Sequence, residues 1–364
     1  MTAEEEARLD ELVGKIRERV AKEAMTPRQR FEALDRGETP DRIPILVNAN
    51  GLHVPIAYGV EPGDLYKDPK LALLAYVSHL ERFGYDTVSM FRFSLGDEEF
   101  GATTTMMADV GVPFTTKSYV ETSCDIDNIK FPDPTKDGSL AWMCWMISVL
   151  KQKLGDIMPI WGFITTPGLS AVLPGSRDFS QASIDMINNP NLAHSLTGLA
   201  MKWAIMFGQA QLDAGADAVC MVDAPGMVSP KQFREFMYPY MAGTYHALDG
   251  RIIWAAANDV SHVMADYAGV GIKRFYLNSG QPLDAAKELC ADNDVTLIYG
   301  IDPQVLLEGP KERIREEVRR VVAQGWQGGR FAISTETVDA STPMENVDIF
   351  MEAAREYCAL PLKA

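Results

Sequence analysis

The chain has 364 residues, 47% of them hydrophobic and 23% charged, with a net charge of −16 at pH 7. That is apolar material for a large core, and an α/β barrel of this length is commonly one domain. The acidic balance, with no run of Lys and Arg, argues against nucleic acid as a partner, and no apolar stretch approaches the roughly 20 residues that cross a bilayer.

The opening stretch MTAEEEARLDELVGKIRERV is acidic and lacks the apolar core of a signal peptide. The five cysteines, at 124, 144, 220, 290 and 358, are scattered and in no CxxC spacing. A cytoplasmic protein with reduced thiols is expected. Leu9, Leu12, Val13, Ile16 and Val20 recur at helical spacing and predict a leading helix over 4–24, a helical extension that caps a barrel or mediates a homodimer. Thr26 as N-cap and Pro27 at the first helical position open a second helix running to Gly37.

From there short apolar runs alternate with longer amphipathic segments. Strands are predicted at 43–48, 87–91, 158–163, 218–222, 252–256, 274–277, 295–299 and 330–333, and helices at 71–83, 191–214, 230–248, 261–268, 281–291 and 311–323. Near-continuous apolar runs are the mark of buried parallel strands. Eight repeated βα units predict an α/β fold, a (β/α)8 TIM barrel over 25–364. A doubly wound open sheet is the competitor, but no strand is followed by a GxGxxG turn. Polar residues instead stand just past the apolar runs: Asn48, Arg92, Thr165, Asp223, Asn258, Asn278, Asp302 and Glu336. A ring of this kind is what a barrel active site needs. The irregular segment 94–145 reads as an insertion over the barrel mouth.

Six landmarks in order carry a resemblance: MTPRQRFEALDRGETPDRIPI, EEFGA, FPDP, LDAGADAVCMVDAPGMVSPKQFREFMYPY, GIDPQVLLEGPKERIREEVRRVV and STPMENVDIFMEAAREY. Over about residues 25–360 the chain resembles the uroporphyrinogen decarboxylase superfamily. The decarboxylase branch has an arginine-rich MRQAGR stretch after its first strand that grips substrate carboxylates. The matching stretch here, VNANGLHVP at 47–55, contains no arginine. The chain therefore looks closer to the corrinoid-dependent methyltransferases, such as methylcobalamin:coenzyme M methyltransferases. In that branch an HxCG after the fifth strand and a GC after the eighth hold zinc, which keeps a thiol as the attacking thiolate. Here the first motif reads Trp254-Ala255-Ala256-Ala257-Asn258, and the second places Glu336 where the last cysteine would stand.

The resemblance then implies the opposite half-reaction. A methyl group leaves a small methylated substrate, an aryl methyl ether above all, for the Co(I) of a corrinoid (cobalamin) carried by a partner corrinoid protein, as in an anaerobic O-demethylase. The chain has no DxHxxG cobalamin motif of its own. An ether oxygen leaves poorly unless it is protonated or held by a Lewis acid. Asp223, Glu336 and His53, the last in the loop replacing the arginine motif, are the candidate catalytic residues. Asn48, Asn50, Arg92, Phe163, Trp254, Asn258, Tyr238 and Tyr299 are candidates for substrate binding. No metal site is expected, the one alternative being an atypical N/O site of Glu336, His262 and Asp259. Three other readings stay open: a coenzyme M-type thiol methyltransferase with an unusual zinc site, a decarboxylase of a small acid, and an inactive binding partner of a corrinoid protein.

Overall fold

The computed structural model describes residues 1–89, 94–107, 111–168, 173–223, 227–256 and 258–362, without the side chains of Asn50, Ser123, Cys124 and Asp223. Its strands are β1 (Ile45–Leu46), β2 (Val88–Ser89), β3 (Thr103–Met106), β4 (Pro113–Lys117), β5 (Ile160–Thr165), β6 (Ala218–Asp223), β7 (Ile252–Ala256), β8 (Arg274–Leu277), β9 (Thr296–Ile301) and β10 (Phe331–Thr335). Eight of them are the parallel strands of an α/β, TIM-barrel-like fold, and β3 and β4 form a separate antiparallel hairpin. The chain gathers into two compact units. One comprises Met1–Ser89, Val149–Trp161 and Lys273–Ala364, the other Met90–Ser148 and Gly162–Ile272.

In the first unit β1, β10, β9 and β8 lie side by side in parallel, with Ile45 opposite Ile333, Ile333 opposite Tyr299, and Tyr299 opposite Leu277. Every residue of β9 and β10 is buried, which is why these strands read as unbroken apolar runs. The leading helix Ala3–Val20 is capped by Thr2 and belongs to this unit. Its buried Leu9, Leu12, Val13, Ile16 and Val20 form one face, and its Arg17 bonds Asp156 and the carbonyl of Lys153.

A buried ion cluster stands where β1 and β2 begin. Asp86, 1% exposed, accepts from Arg30 at 3.0 Å, from both terminal nitrogens of Arg42 at 2.5 and 2.8 Å, and from the backbone N–H of Ile45 at 2.7 Å. The Asp86 N–H returns a 2.8 Å bond to the Ile45 carbonyl, so one aspartate ties the start of β1 to the chain entering β2. Asp41 takes Arg30 in a two-pronged grip at 2.7 and 2.8 Å, and Glu23 reaches both arginines. Asp41 and Arg42 are the middle of the PDRIP motif, which is therefore a structural clasp.

In the second unit β6 pairs in parallel with β7, bringing Asp223 opposite Ala256. The segment expected to be irregular over 94–145 holds the hairpin, and from Gly138 it is already the helix Gly138–Leu154. Gln211, fully buried on the helix Pro190–Asp213, clamps the β5 backbone: its amide oxygen accepts from the Phe163 N–H and its amide nitrogen donates to the Phe163 carbonyl, both at 2.8 Å. The helix predicted over 230–248 is interrupted by a π-turn at Phe233–Met237 before Tyr238–Ala247 resumes. Among the described residues no helix is long and apolar enough to cross a membrane.

Candidate functional site

The C-terminal ends of β8, β9 and β10 bring a set of polar groups together around Glu336, the residue after β10. The Oε1 of Glu336 accepts from both the backbone N–H and the hydroxyl of Ser279, in the turn after β8. That turn is held from behind by Tyr299 of β9, whose hydroxyl donates to the carbonyls of Gln281 at 2.6 Å and Ser279 at 3.0 Å. Tyr299 is 1% exposed, and burial pushes its phenol up to about 12, so it remains a donor. Tyr276 of β8 meets the Ser334 hydroxyl at 2.7 Å and donates to the Thr335 carbonyl at 2.8 Å.

Gly300 makes the room. It lies opposite Ser334, and a Cβ built on it would stand 2.8 Å from the Cγ of Glu336. Glycine inside a strand often marks such a close approach. The loop leaving β10 is latched to β1: the Asn48 N–H donates to the Thr335 hydroxyl at 2.8 Å, and the Val338 N–H to the Asn48 carbonyl at 2.9 Å. The backbone of the half-buried Asn48 is thereby fixed to the segment that carries Glu336.

Burial raises the Glu336 carboxyl above its ordinary value. The Ser279 bonds pull the other way, and the nearby carboxylate of Asp302 adds to the rise. An acid in this environment keeps its proton further toward neutrality than a solvated glutamate does. A cleft of about 1120 Å³ reaches the same turn along the helix Lys311–Gly325. Its walls include Ser279, Asp302, Glu317 and Arg320 but not Glu336, so it lies behind the turn rather than over the acid.

His53 is not in a loop. The segment replacing the arginine motif is the helix Asn50–Tyr58, with Pro55 inside it and Gly59 closing it at φ 83. The imidazole is fully buried, with Nδ1 3.1 Å from His79 Nε2, and His79 Nδ1 lies 3.2 Å from the Tyr85 hydroxyl. Burial lowers His53, while the Thr342 backbone and Asp339 of the loop after β10 act against that fall. His79 is pushed well down by burial and by His53. Two neutral rings in one hydrogen-bonded row hold structure and are poor proton donors at neutral pH.

Phe163, Trp254, Tyr238 and Asn258 lie in the second unit. Phe163 is buried on β5 with its backbone in the Gln211 clamp. Trp254 has no exposed surface and is enclosed edge-on by Tyr267 at 4.7 Å and Tyr245 at 6.1 Å, the surroundings of a core residue rather than a substrate wall. Tyr238 packs on Phe233 and points its hydroxyl at Gly269. Asn258 is half-buried just past β7. Arg92 lies outside the described residues, as do the side chains of Asp223 and Asn50.

Two residues of the atypical metal site are engaged with protein groups. Asp259 is taken up by the N–H and hydroxyl of Ser261, and His262 donates Nε2–H to the Val228 carbonyl at 3.0 Å. Among the described residues no group of three or more His, Cys, Asp or Glu is placed to hold a metal. A thiolate zinc centre does not fit either: the second motif now presents Thr335, bound to the Asn48 backbone, and Glu336.

Sequence reasoning missed Ser279, Gly300 and Tyr276. The Ser-Gly pair at 279–280 and a glycine inside the apolar run TLIYGI were the available signals.

The model of the family described as uroporphyrinogen decarboxylase (URO-D) matches residues 26–357. A uroporphyrinogen decarboxylase of Chlorobaculum tepidum is 29% identical over 310 residues, 81% of this chain and 86% of its own. A methyltransferase from Methanosarcina mazei superposes with a TM-score of 0.80 at 20% identity, over 92% of this chain and 99% of that one. A B12-independent methionine synthase from Shewanella sp. W3-18-1 follows at TM-score 0.54 and 12% identity, over 86% and 96%. At these identities the two structures speak for the fold.

Proposed function

The chain belongs to the uroporphyrinogen decarboxylase family, and from that premise we propose that it is a methyltransferase, moving a methyl group from an aryl methyl ether to the Co(I) of a separate corrinoid protein. The observation that carries the proposal is Glu336: a half-buried carboxyl with a raised pKa, held by one oxygen at the end of β10. The corrinoid, as methyl acceptor, supplies the nucleophile. What this chain must supply is a proton for the departing phenolate, since an unprotonated aryl oxygen is a poor leaving group. Glu336 delivers it, and the amide of Asn48 binds a neighbouring oxygen of the donor. The arginine-free stretch 47–55 leaves a multiply anionic tetrapyrrole without its grip.

The Chlorobaculum tepidum relative is named a uroporphyrinogen decarboxylase, which supports decarboxylation as a second reading, and the missing arginine grip makes a smaller acid its substrate. One experiment separates them. The protein is mixed with a Co(I) corrinoid protein and methoxyphenols, methylamines or methyl thioethers, with metal content measured on the same sample. Loss of the Co(I) absorbance with a methoxyphenol, one methyl per cobalt, is the expected result. Unchanged Co(I) with every donor, and CO2 released from a carboxylic acid, would overturn the proposal.

A further inference from the structure

We propose that Tyr299 is the positioning residue of this site, fixing through the turn at 279–281 which oxygen of the Glu336 carboxyl carries the proton. The inference rests on the reading of Glu336 as the acid and adds how that acid is aimed.

The argument follows the hydrogen atoms. A backbone N–H only donates. The Ser279 N–H on Oε1 therefore makes that oxygen an acceptor whether the carboxyl is ionised or not. When Glu336 is neutral its proton sits on Oε2, and Oε2–H is the bond offered to a ligand. This assignment holds only while Ser279 stays in place, and Ser279 is in a turn. Tyr299 fastens that turn by sharing one hydroxyl hydrogen between the carbonyls on either side of Gly280. Successive strand residues face opposite sides: Tyr299 reaches the turn, while Gly300 leaves the space that the Cγ of Glu336 occupies. Neighbours on one strand thus set both the seat and the bearing of the same carboxyl. The titratable groups facing Glu336 are Asp302, past the end of β9, and Tyr299 itself.

The test reads the carboxyl without needing the substrate. Infrared titration of the free protein, with Glu336→Gln as the blank, gives the pH at which Glu336 ionises. Ser279→Ala removes a bond that favours the carboxylate and raises that pH by about one unit. Tyr299→Phe, which removes an oxygen that does not touch Glu336, shifts it in the same direction by about half a unit or more. In the methoxyphenol assay the high-pH limb of kcat moves with it while KM stays within about twofold. A second variant, one glycine inserted after Gly280, where a side chain would meet nothing within 4 Å, carries the same expectation. Titration at the wild-type pH in both turn variants overturns the positioning role, whatever the assay shows. Full turnover by Glu336→Gln instead removes the acid, and with it the catalytic meaning of the bearing, while the titration still reports whether Tyr299 sets it.

Discussion

Two carboxylates, one fully buried and one half-buried, stand at opposite ends of the same group of strands, and their surroundings drive them in opposite directions. Asp86, where β1 and β2 begin, is enclosed with two guanidinium groups, and their charge holds it below the ordinary carboxylate range in spite of burial. Glu336, past the end of β10, is met by the N–H and hydroxyl of Ser279, with Asp302 nearby, and there burial wins. The difference teaches that depth alone does not decide whether a carboxyl keeps its proton. At Asp86 two opposing charges outweigh desolvation, and at Glu336 the two neutral donors of Ser279 do not. Barrels commonly put stability at one face and chemistry at the other, and here the same functional group serves each purpose.

The comparison breaks most directly at Asp86. Asp86→Asn leaves Arg30 and Arg42 buried with one partner fewer, and urea unfolding should show a loss of about 3–5 kcal/mol. A loss below about 1 kcal/mol would mean that the clasp is not structural. Glu336→Gln should do the reverse. Single-turnover methyl transfer falls by about 10²–10⁴-fold, and the unfolding midpoint stays near wild type, because the amide keeps an oxygen for Ser279.

Gly300→Ala sharpens the contrast without changing any charge. Its Cβ must displace Glu336, so turnover falls about tenfold while stability drops by about 1–3 kcal/mol, as overpacking does. The smallest effect is in pH dependence. Asp86 contributes stability above its unfolded pKa of about 3.9 and loses it as pH falls through the lower folded value. Glu336 has the opposite slope: above an unfolded pKa of about 4.3, stability declines as pH rises until the folded carboxyl ionises. Chemical denaturation across pH 3–8 should show Asp86→Asn flattening the acid side and Glu336→Gln the neutral side.

Much of this was legible in the residues alone. The eight parallel strands announced themselves because burial on both faces leaves unbroken runs such as FAIS and TLIYGI. Glu336 stood out as a charged residue directly after such a run. Ser279 and Gly300 did not, because their roles depend on which strands become neighbours: Ser334 of β10 must lie opposite Gly300 of β9 before the glycine's space has an occupant. The loop expected at His53 is a helix, and nothing in VNANGLHVP alone shows that His53 packs against His79, twenty-six residues on. The PDRIP motif was visible as a landmark, but its meaning waited on Asp86, more than forty residues away.

The Gln211 clamp has a consequence for how this sequence can drift. An amide is the only side chain of its shape that can accept from Phe163 N–H and donate to Phe163 carbonyl at once. Its oxygen also fills the place where a Cβ on Gly162 would stand, at 2.3 Å. Positions 162 and 211 are therefore not independently variable. A relative that has gained a side chain at the first must have shortened the second, and the glutamate that spontaneous deamidation would leave at 211 sets an acceptor oxygen against the Phe163 carbonyl where a donor stood, and loosens β5 with no change in volume.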